Sequence, residues 1–289
     1  MQSKQLRESL LPILFTAAVT VASGSACAGF APLEASGGSG GGNHTTGISS
    51  AAWRPVASAE EAITVASELR MLTQRMYKDY VFSGLNVRAR KANHDLEQAM
   101  QQFEFSIARL SAYAYNEHLK ARCAAMHHLW LKIKPIYQSP PDKANVRQLR
   151  DYNNEILRAS YANVTTFMVY GDSEYGQMVN LAGEQTMLSQ RIAALYGLMS
   201  WGFEDDVEET YSKVENDFRY NLEVLLENLI NTPGVDRKLD RVKRQFASFE
   251  RSSNSGANVY VPALIDRSAE RMLREMLDIT NMYAELSSN

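Results

Sequence analysis

The sequence predicts an all-α protein built as two tandem four-helix up-down bundles. From Ala59 onward, apolar residues recur every three to four positions over long stretches, the spacing of one buried helix face. Turn residues rich in glycine and proline separate these stretches. No stretch alternates apolar and polar residues for long enough to predict a strand. An eleven-residue motif also occurs twice, which predicts two copies of one helical unit.

The periodic stretches predict eight helices, at about residues 59–83, 92–114, 116–137, 143–170, 173–202, 206–230, 235–252 and 260–287. Most of the breaks between them carry residues typical of helix ends: Gly84-Leu85-Asn86, Ser139-Pro140-Pro141-Asp142, Gly171-Asp172-Ser173, Asn231-Thr232-Pro233-Gly234, and the polar turn 252–258 before Pro262. Eight helices with short connections are what two four-helix bundles require.

The internal repeat divides these helices into two sets of four. Residues 66–76 read ASELRMLTQRM, and 116 positions later residues 182–192 read AGEQTMLSQRI. The following helix repeats its apolar positions at a spacing of 115, so that Leu96, Phe103, Ile107 and Leu110 correspond to Tyr211, Phe218, Leu222 and Leu225. We therefore predict a first module at 58–171 and a second module at 172–289.

The N-terminus has the pattern of a secretory signal rather than of a folded element. Lys4 and Arg7 precede an apolar stretch from Leu10 to Val21, which is too short to span a bilayer comfortably. Small residues up to Ala28 form a cleavage site, so we expect residues 1–28 to be a signal peptide and residues 29–57 a Gly/Ser-rich linker. The alternative is a lipoprotein signal with Cys27 acylated. Both place the protein in the periplasm, outside the cell, or on the outer membrane.

Composition excludes several functional classes. Hydrophobic residues make up 45% and charged residues 22%, as in ordinary globular proteins. The net charge of −3 offers no basic field for nucleic acid. No catalytic or phosphate-binding motif occurs, and His118, His127 and His128 lack the spacing of a metal site. We therefore expect no enzyme, no cofactor and no metal, and a buried thiol at Cys123.

A helical wheel separates three faces of the first motif helix: a core face (Val65, Leu69, Leu72, Met76, Tyr80), one flank (Glu68, Met71, Arg75) and another flank (Ala66, Arg70, Thr73, Tyr77). In the second copy the flank of Arg70 becomes uniformly small: Ala182, Thr186, Ser189 and Ala193. A small flank allows another helix to approach closely.

The repeated motif resembles the signature helix of the PilJ-type domain. That domain is the extracytoplasmic N-terminal module of type IV pilus methyl-accepting chemotaxis transducers, and it is related to the sensor modules of nitrate/nitrite sensor kinases. The family stretch reads roughly A-G-x-Q-R-M-L-S-Q-R-[IM]; residues 181–193 are close to it, and residues 67–76 are recognisable. The resemblance extends over about 59–287 as two tandem modules. It implies four-helix bundles that sense ligands or bind partners and that carry out no catalysis.

The resemblance also implies a candidate anion site. In the nitrate-sensing relatives, the arginine just before the motif methionine contacts the anion between two such helices. By position this is Arg70 in the first module, whereas the second module has the uncharged Thr186. A site would then require the two motif helices to face each other, within one chain or across a homodimer. Arg70 would supply the charge, and Thr73, Thr186 and Ser189 would supply hydroxyl donors to nitrate or nitrite.

Structural roles are the alternative for these residues. Arg70 could be solvated or ion-paired at the surface, with the small flank serving only helix packing. For the other repeated polar residues, Glu68, Gln74, Arg75, Glu184, Gln190 and Arg191, we expect structural roles. The pairs Glu68/Arg75 and Glu184/Arg191 are seven residues apart, which suits an ion pair or carbonyl capping inside the bundle.

Two functions follow as expectations. The first is a stand-alone exported sensory protein that binds a small oxyanion and signals through a separate partner, because no output domain follows the last predicted helix. The second is a helical scaffold for protein partners in the cell envelope or the type IV pilus system, without a small-molecule ligand. The sequence leaves open whether the two modules lie side by side or end to end.

Overall fold

The computed structural model describes residues 54–168, 174–253 and 261–287, all within one compact unit, Thr46–Asn289. The predicted signal peptide, Cys27 and most of the predicted linker lie outside the described residues. The described chain is helical throughout its regular elements, which confirms the predicted all-α class.

The described residues form eight helices at the predicted places: α1 (Ala59–Gly84), α2 (Ala89–Tyr113), α3 (Glu117–Tyr137), α4 (Lys143–Met168), α5 (Glu174–Ser200), α6 (Glu204–Leu226), α7 (Pro233–Ser253) and α8 (Pro262–Ser287). The largest difference is at α6, which ends at Leu226 rather than near residue 230. Asn228 explains the early end, because its side chain accepts a hydrogen bond from the Ile230 amide at 3.0 Å and so stabilises a turn.

Side-chain caps define several helix starts. Ser58 accepts a hydrogen bond from the Glu61 amide at the start of α1, and Asn116 accepts one from the Leu119 amide at the start of α3. Between α1 and α2 the chain reverses through Asn86 and Arg88, whose φ angles are 55° and 51°. Asparagine tolerates this left-handed region; the Arg88 side chain is held by an ion pair with Asp266 of α8.

The helices pack as two rings of four. α1 contacts α2 and α4, and α3 contacts the same two helices; α5 contacts α6 and α8, and α7 contacts those two. Buried aromatic residues fill both rings, with Phe103, Trp130 and Phe167 in the first and Phe218, Phe246 and Phe249 in the second. Each ring can thus bury the apolar stripes of its own helices, as four-helix bundles do.

The two rings lie side by side, joined along α1 and α5. These two helices run parallel, because Gly183 meets Ser67 near one end of the seam and Gly197 meets Val81 and Phe82 near the other. Gly84 further along faces Trp201. Successive residues of α1 therefore face successive residues of α5, and the approach of the motif helices that the sequence left open is made within one chain.

This central position changes the expected burial of α1. The helical wheel predicted one core face and two flanks, but both flanks are largely buried, with Arg70 1% exposed and Thr73 fully buried. The reason is that α1 contacts four helices, α2, α4, α5 and α8, rather than two. Among the helices of the described residues, none is long and apolar enough to cross a membrane.

Candidate functional site

Arg70 lies buried in the seam between α1 and α5, close to α4. Its Nη2 donates hydrogen bonds to the Ser67 hydroxyl at 3.0 Å, and to the side-chain oxygen and the carbonyl of Asn180 at 2.9 and 3.2 Å. The guanidinium carbon lies 4.9 Å from the ring centre of Tyr161. The expected alternative of a solvated surface arginine does not hold, since the side chain is buried.

The charge of Arg70 has no direct counter-ion. None of the ion pairs among the described residues includes its guanidinium, and its Nε is buried without a hydrogen-bond partner. Burial lowers the pKa of Arg70, and the Tyr161 hydroxyl and the Glu184 carboxylate only partly offset that effect. An isolated guanidinium in such a place is unusual, because buried charges are normally paired.

The three predicted hydroxyl donors lie on the same seam but point back to their own helices. Thr73 donates to the Arg70 carbonyl at 2.7 Å, Thr186 to the Gly183 carbonyl at 2.6 Å, and Ser189 to the Thr186 carbonyl at 2.7 Å. Their protons are therefore engaged in bonds one helical turn back. The polar groups that touch the guanidinium are instead Ser67 and Asn180, which the sequence did not single out.

The repeated glutamates have partners on other helices. Glu68 accepts hydrogen bonds from Ser106 at 2.9 Å and Gln102 at 3.2 Å, both on α2. Burial raises the pKa of Glu68 against the effect of these donors. Glu184 accepts a hydrogen bond from the Tyr161 hydroxyl at 3.0 Å. In place of the expected pairs Glu68/Arg75 and Glu184/Arg191, both glutamates make these contacts with other helices.

Arg75 belongs to a buried charge cluster that joins α1, α2 and α8. Its guanidinium lies 3.5 to 3.7 Å from the carboxylates of Asp79, Asp95 and Glu270. Burial alone would lower the pKa of Arg75, but these carboxylates outweigh it and raise the pKa. Arg75 is thus ion-paired inside the protein, with partners other than the one expected.

Lys78 is the centre of the same cluster. The ammonium group is fully buried and lies 3.2 Å from Asp79 and 3.1 Å from Asp266, and it pairs closely with Glu270. Arg88 and Lys91 complete the cluster through Asp266 and Asp95. Four cations therefore face four carboxylates, so the charges of the cluster balance when every carboxylate is ionised.

Arg191, the repeat equivalent of Arg75, lies in a different environment. It lines a pocket of about 80 Å³ between the two rings, bounded by α1, α4, α5 and α6. Burial lowers the pKa of Arg191, and none of the ion pairs among the described residues includes it. The pocket also contains Gln74 and Arg150, together with Asn153, whose buried Oδ1 has no hydrogen-bond partner.

The repeated glutamines are buried in the seam next to the repeated hydroxyls. Gln74 donates to Thr73 and Gln190 to Ser189, each at the long distances of 3.4 and 3.3 Å, and Gln190 also reaches the Ala269 carbonyl at 3.4 Å. The Oε1 of Gln190 is buried without a partner. These contacts hold both glutamines in the seam, and Gln74 also borders the pocket of Arg191.

Comparison with known proteins adds one match. Neither the curated proteins nor the solved structures contain a match to this chain. The family model described as type IV pili methyl-accepting chemotaxis transducer N-term, PilJ, matches residues 55–158, which include α1, α2, α3 and most of α4. The first motif helix with Arg70 and Arg75 lies inside this match. Residues 55–158 are therefore similar to the PilJ domain, a helical domain of the sensory type found at the N-terminus of type IV pilus chemotaxis transducers.

Proposed function

We propose that the chain is an exported sensory protein of the PilJ type that binds a small oxyanion such as nitrate or nitrite at Arg70 and signals through a separate protein partner. This proposal rests on the burial of the Arg70 guanidinium and on its lack of an ion pair among the described residues. Its guanidinium is buried between the two rings, and no carboxylate of the described residues pairs with it.

The energetic argument concerns the cost of a buried charge. A guanidinium removed from water without a counter-ion destabilises the folded chain. A monovalent anion in contact with the free Nε and with Nη2 would compensate the charge and occupy the unpaired donor. Nitrate and nitrite present two oxygens in one plane, which matches the fork of a guanidinium. The bound anion would thus be stabilised by charge and by geometry together.

The polar groups at Arg70 suggest how the anion would be held. Ser67 and the Asn180 amide already lie within 3.0 Å of Nη2, and the Tyr161 ring covers the guanidinium. An entering oxyanion would replace the Asn180 oxygen at Nη2 and accept a hydrogen bond from the Ser67 hydroxyl. In this arrangement Ser67 and Asn180 take the place of Thr73, Thr186 and Ser189.

The position of the site also suggests how binding could reach a partner. Ser67 and Arg70 belong to α1, Tyr161 to α4 and Asn180 to α5, so one anion would contact helices of both rings. Replacing the Arg70–Asn180 bond would change the contact between α1 and α5. A ligand shifts a conformational equilibrium only through such differential contacts. The protein partner would then respond to a change in how the two rings pack against each other.

The test is thermal stability of the mature protein with nitrate, nitrite, sulfate and chloride. A ligand that binds only the folded state stabilises it by about 2.7 kcal/mol at a hundredfold excess over its dissociation constant. We expect a selective rise in Tm with nitrate or nitrite that Arg70→Met abolishes. Arg237→Gln is the matched control, because Arg237 is an exposed arginine of α7 far from the seam. Absence of a shift with every anion would contradict the proposal and favour the scaffold for protein partners.

A further inference from the structure

The two repeated arginines, Arg75 and Arg191, differ in the number of carboxylates that lie close to them. Arg75 has three close carboxylates, Asp79, Asp95 and Glu270. Arg191 occupies the same place in the second motif, 116 positions later, but pairs with none among the described residues. One copy of this arginine is therefore paired with carboxylates inside the protein, whereas the other has no ion pair among the described residues.

The missing partners can be located position by position. Along the motif helices, Asp79 corresponds to Leu195; along the second helices, offset by 115, Asp95 corresponds to Thr210. The α4 residue 116 positions before Glu270 is Asn154. Leu195, Thr210 and Asn154 all line the pocket of Arg191. The pocket thus lies where the first copy of the site has its carboxylates.

The charges that remain in the pocket favour a single anion. Arg150 lies 3.6 Å from Asp206 and 3.9 Å from the exposed Asp151, so it is already paired. Arg191 adds one positive charge that forms no ion pair among the described residues and that Asp217 offsets only in part. With Arg150, Arg191 and Asp206 counted together, the lining carries a net charge of about +1, which suits a monoanion better than a zwitterion or a dianion.

Asn153 indicates that the ligand must also carry a hydrogen-bond donor. Its side chain is 3% exposed, it lines the pocket, and its Oδ1 is buried without a hydrogen-bond partner. An unpartnered acceptor of this kind is costly unless a donor reaches it. A ligand that fits would therefore carry a hydroxyl group on the carbon next to its carboxylate.

The volume sets the size of the ligand. One water needs roughly 10 to 15 Å³, so a pocket of about 80 Å³ has room for a ligand of a few non-hydrogen atoms. This is the size of a three-carbon hydroxy acid. Ala194, Leu195 and Val207 provide an apolar wall for its carbon chain.

We propose that the pocket at Arg191 binds a small 2-hydroxy monocarboxylate, whose carboxylate takes the place of the missing internal carboxylates and whose hydroxyl donates to Asn153. The guanidinium of Arg191 donates two hydrogen bonds to the carboxylate, with Arg150 at the other side of the pocket. This second site is separate from Arg70 and does not depend on the oxyanion proposed there.

Calorimetric titration with lactate, propionate and alanine tests the proposal. Lactate and propionate differ by the hydroxyl, while alanine replaces the hydroxyl with an ammonium group. We expect lactate to bind, and propionate and alanine to bind at least about tenfold more weakly, because one unpaired buried acceptor or one unmatched charge is worth 1.4 kcal/mol or more. Equal affinity for lactate and propionate would overturn the role of Asn153. No heat from lactate at millimolar concentration would overturn the site.

Variants connect the binding to the named residues. Arg191→Gln removes the charge, and Asn153→Leu removes the acceptor at nearly constant volume; each should weaken lactate binding at least about tenfold. Arg237→Gln should bind as the original chain does. Lactate binding that survives both Arg191→Gln and Asn153→Leu would place the ligand elsewhere and refute the proposal.

Thr210→Asp provides a test that keeps Arg191 in place. The new carboxylate recreates Asp95 of the first copy and should pair with Arg191, which excludes the ligand. Thr210→Asn has the same size without the charge, so the loss of lactate affinity should be at least about tenfold smaller than for the aspartate. Similar losses in both variants would contradict the proposed competition. Titration of nitrate into the same variants keeps this test separate from the one at Arg70, because Arg191→Gln leaves the Arg70 site intact.

Discussion

Ser67 and Gly183 hold the same position in the two copies of the motif and meet each other across the seam between α1 and α5. A Cβ added to Gly183 would lie only 2.7 Å from the Ser67 Cβ. Equivalent residues that face each other identify the seam as a parallel pairing of the two motif helices. The close approach here also brings Arg70 within reach of Asn180 on α5.

The first prediction concerns this close approach. Gly183→Ala should destabilise the chain by about 1–3 kcal/mol, because overpacking at a rigid contact forces the two helices apart. The gain in helix propensity from alanine, about 1 kcal/mol, offsets only part of that cost. Urea unfolding followed by circular dichroism measures the difference in the free energy of unfolding.

Gly234→Ala is the matched control for this prediction. Its added Cβ would also make a short contact, 2.8 Å, but with the terminal methyl of Met282, which can move aside. The same substitution should therefore be neutral or slightly stabilising at this position in α7. If Gly183→Ala proves equally neutral, the seam is looser than the structure describes.

The second prediction compares Arg70 with Arg75, two arginines of one helix. Arg75→Met should cost about 3–5 kcal/mol, because it leaves buried carboxylates short of a cation. Arg70→Met should cost about 1 kcal/mol or less without added anion, since the charge that it removes has no carboxylate partner and its hydrogen bonds are few. Thermal or urea unfolding of both variants in anion-poor buffer gives the comparison. Equal costs would mean that Arg70 is as well compensated as Arg75.

Much of the fold was predictable from local patterns. The eight helices follow from apolar spacing and from turn residues such as Gly84 and Pro140, and these signals act within a few positions of the chain. The arrangement of the two rings was not predictable, because the residues between the fourth and fifth helices are compatible with both alternatives. The burial of both flanks of α1 depends on that arrangement, so the helical wheel could not show it.

The candidate site was predictable only in part. The motif drew attention to Arg70, Arg75 and Arg191, but their partners come from helices whose sequences do not repeat the motif. Lys78 and Asp79 carry a signal in the sequence itself: they are two charges one turn beyond Arg75, in a helix that continues with apolar residues on both sides. Asp266 and Glu270 gave no comparable signal, because only the packing of α8 against α1 brings them to Lys78.

The third prediction concerns the thiol of Cys123. Burial raises the pKa of Cys123 to about 11, so almost no thiolate forms at neutral pH. The folded protein should therefore resist alkylation by iodoacetamide at pH 8, while the unfolded protein should react at the rate of a free cysteine. Mass spectrometry of the peptide that contains Cys123 measures the labelling. Rapid reaction of the folded chain would show that α3 opens far more readily than its packing implies.

The fourth prediction concerns the acid dependence of the charge cluster. Burial alone would raise the pKa of Glu270, but Lys78 and Arg75 outweigh it and hold the pKa at about 2, below the ordinary value of 4.5. A lowered carboxyl pKa contributes stability that is complete above pH 4.5 and is lost as the pH falls toward 2. The neighbouring Asp79 has the opposite trend, since burial raises its pKa to about 7 and protonation below that pH favours the folded state.

Comparison of the original chain with Glu270→Gln isolates the contribution of Glu270. The difference in the free energy of unfolding should be about 3 kcal/mol at pH 6 and should shrink progressively between pH 4.5 and pH 2. Glu275→Gln, in the same helix, removes a partly exposed carboxylate that pairs with Lys238 and Arg241, and should cost at most about 1 kcal/mol. A pH-independent cost for Glu270→Gln would mean that its carboxyl group titrates alike in the folded and unfolded chain, and that Lys78 depends on Asp79 and Asp266 alone.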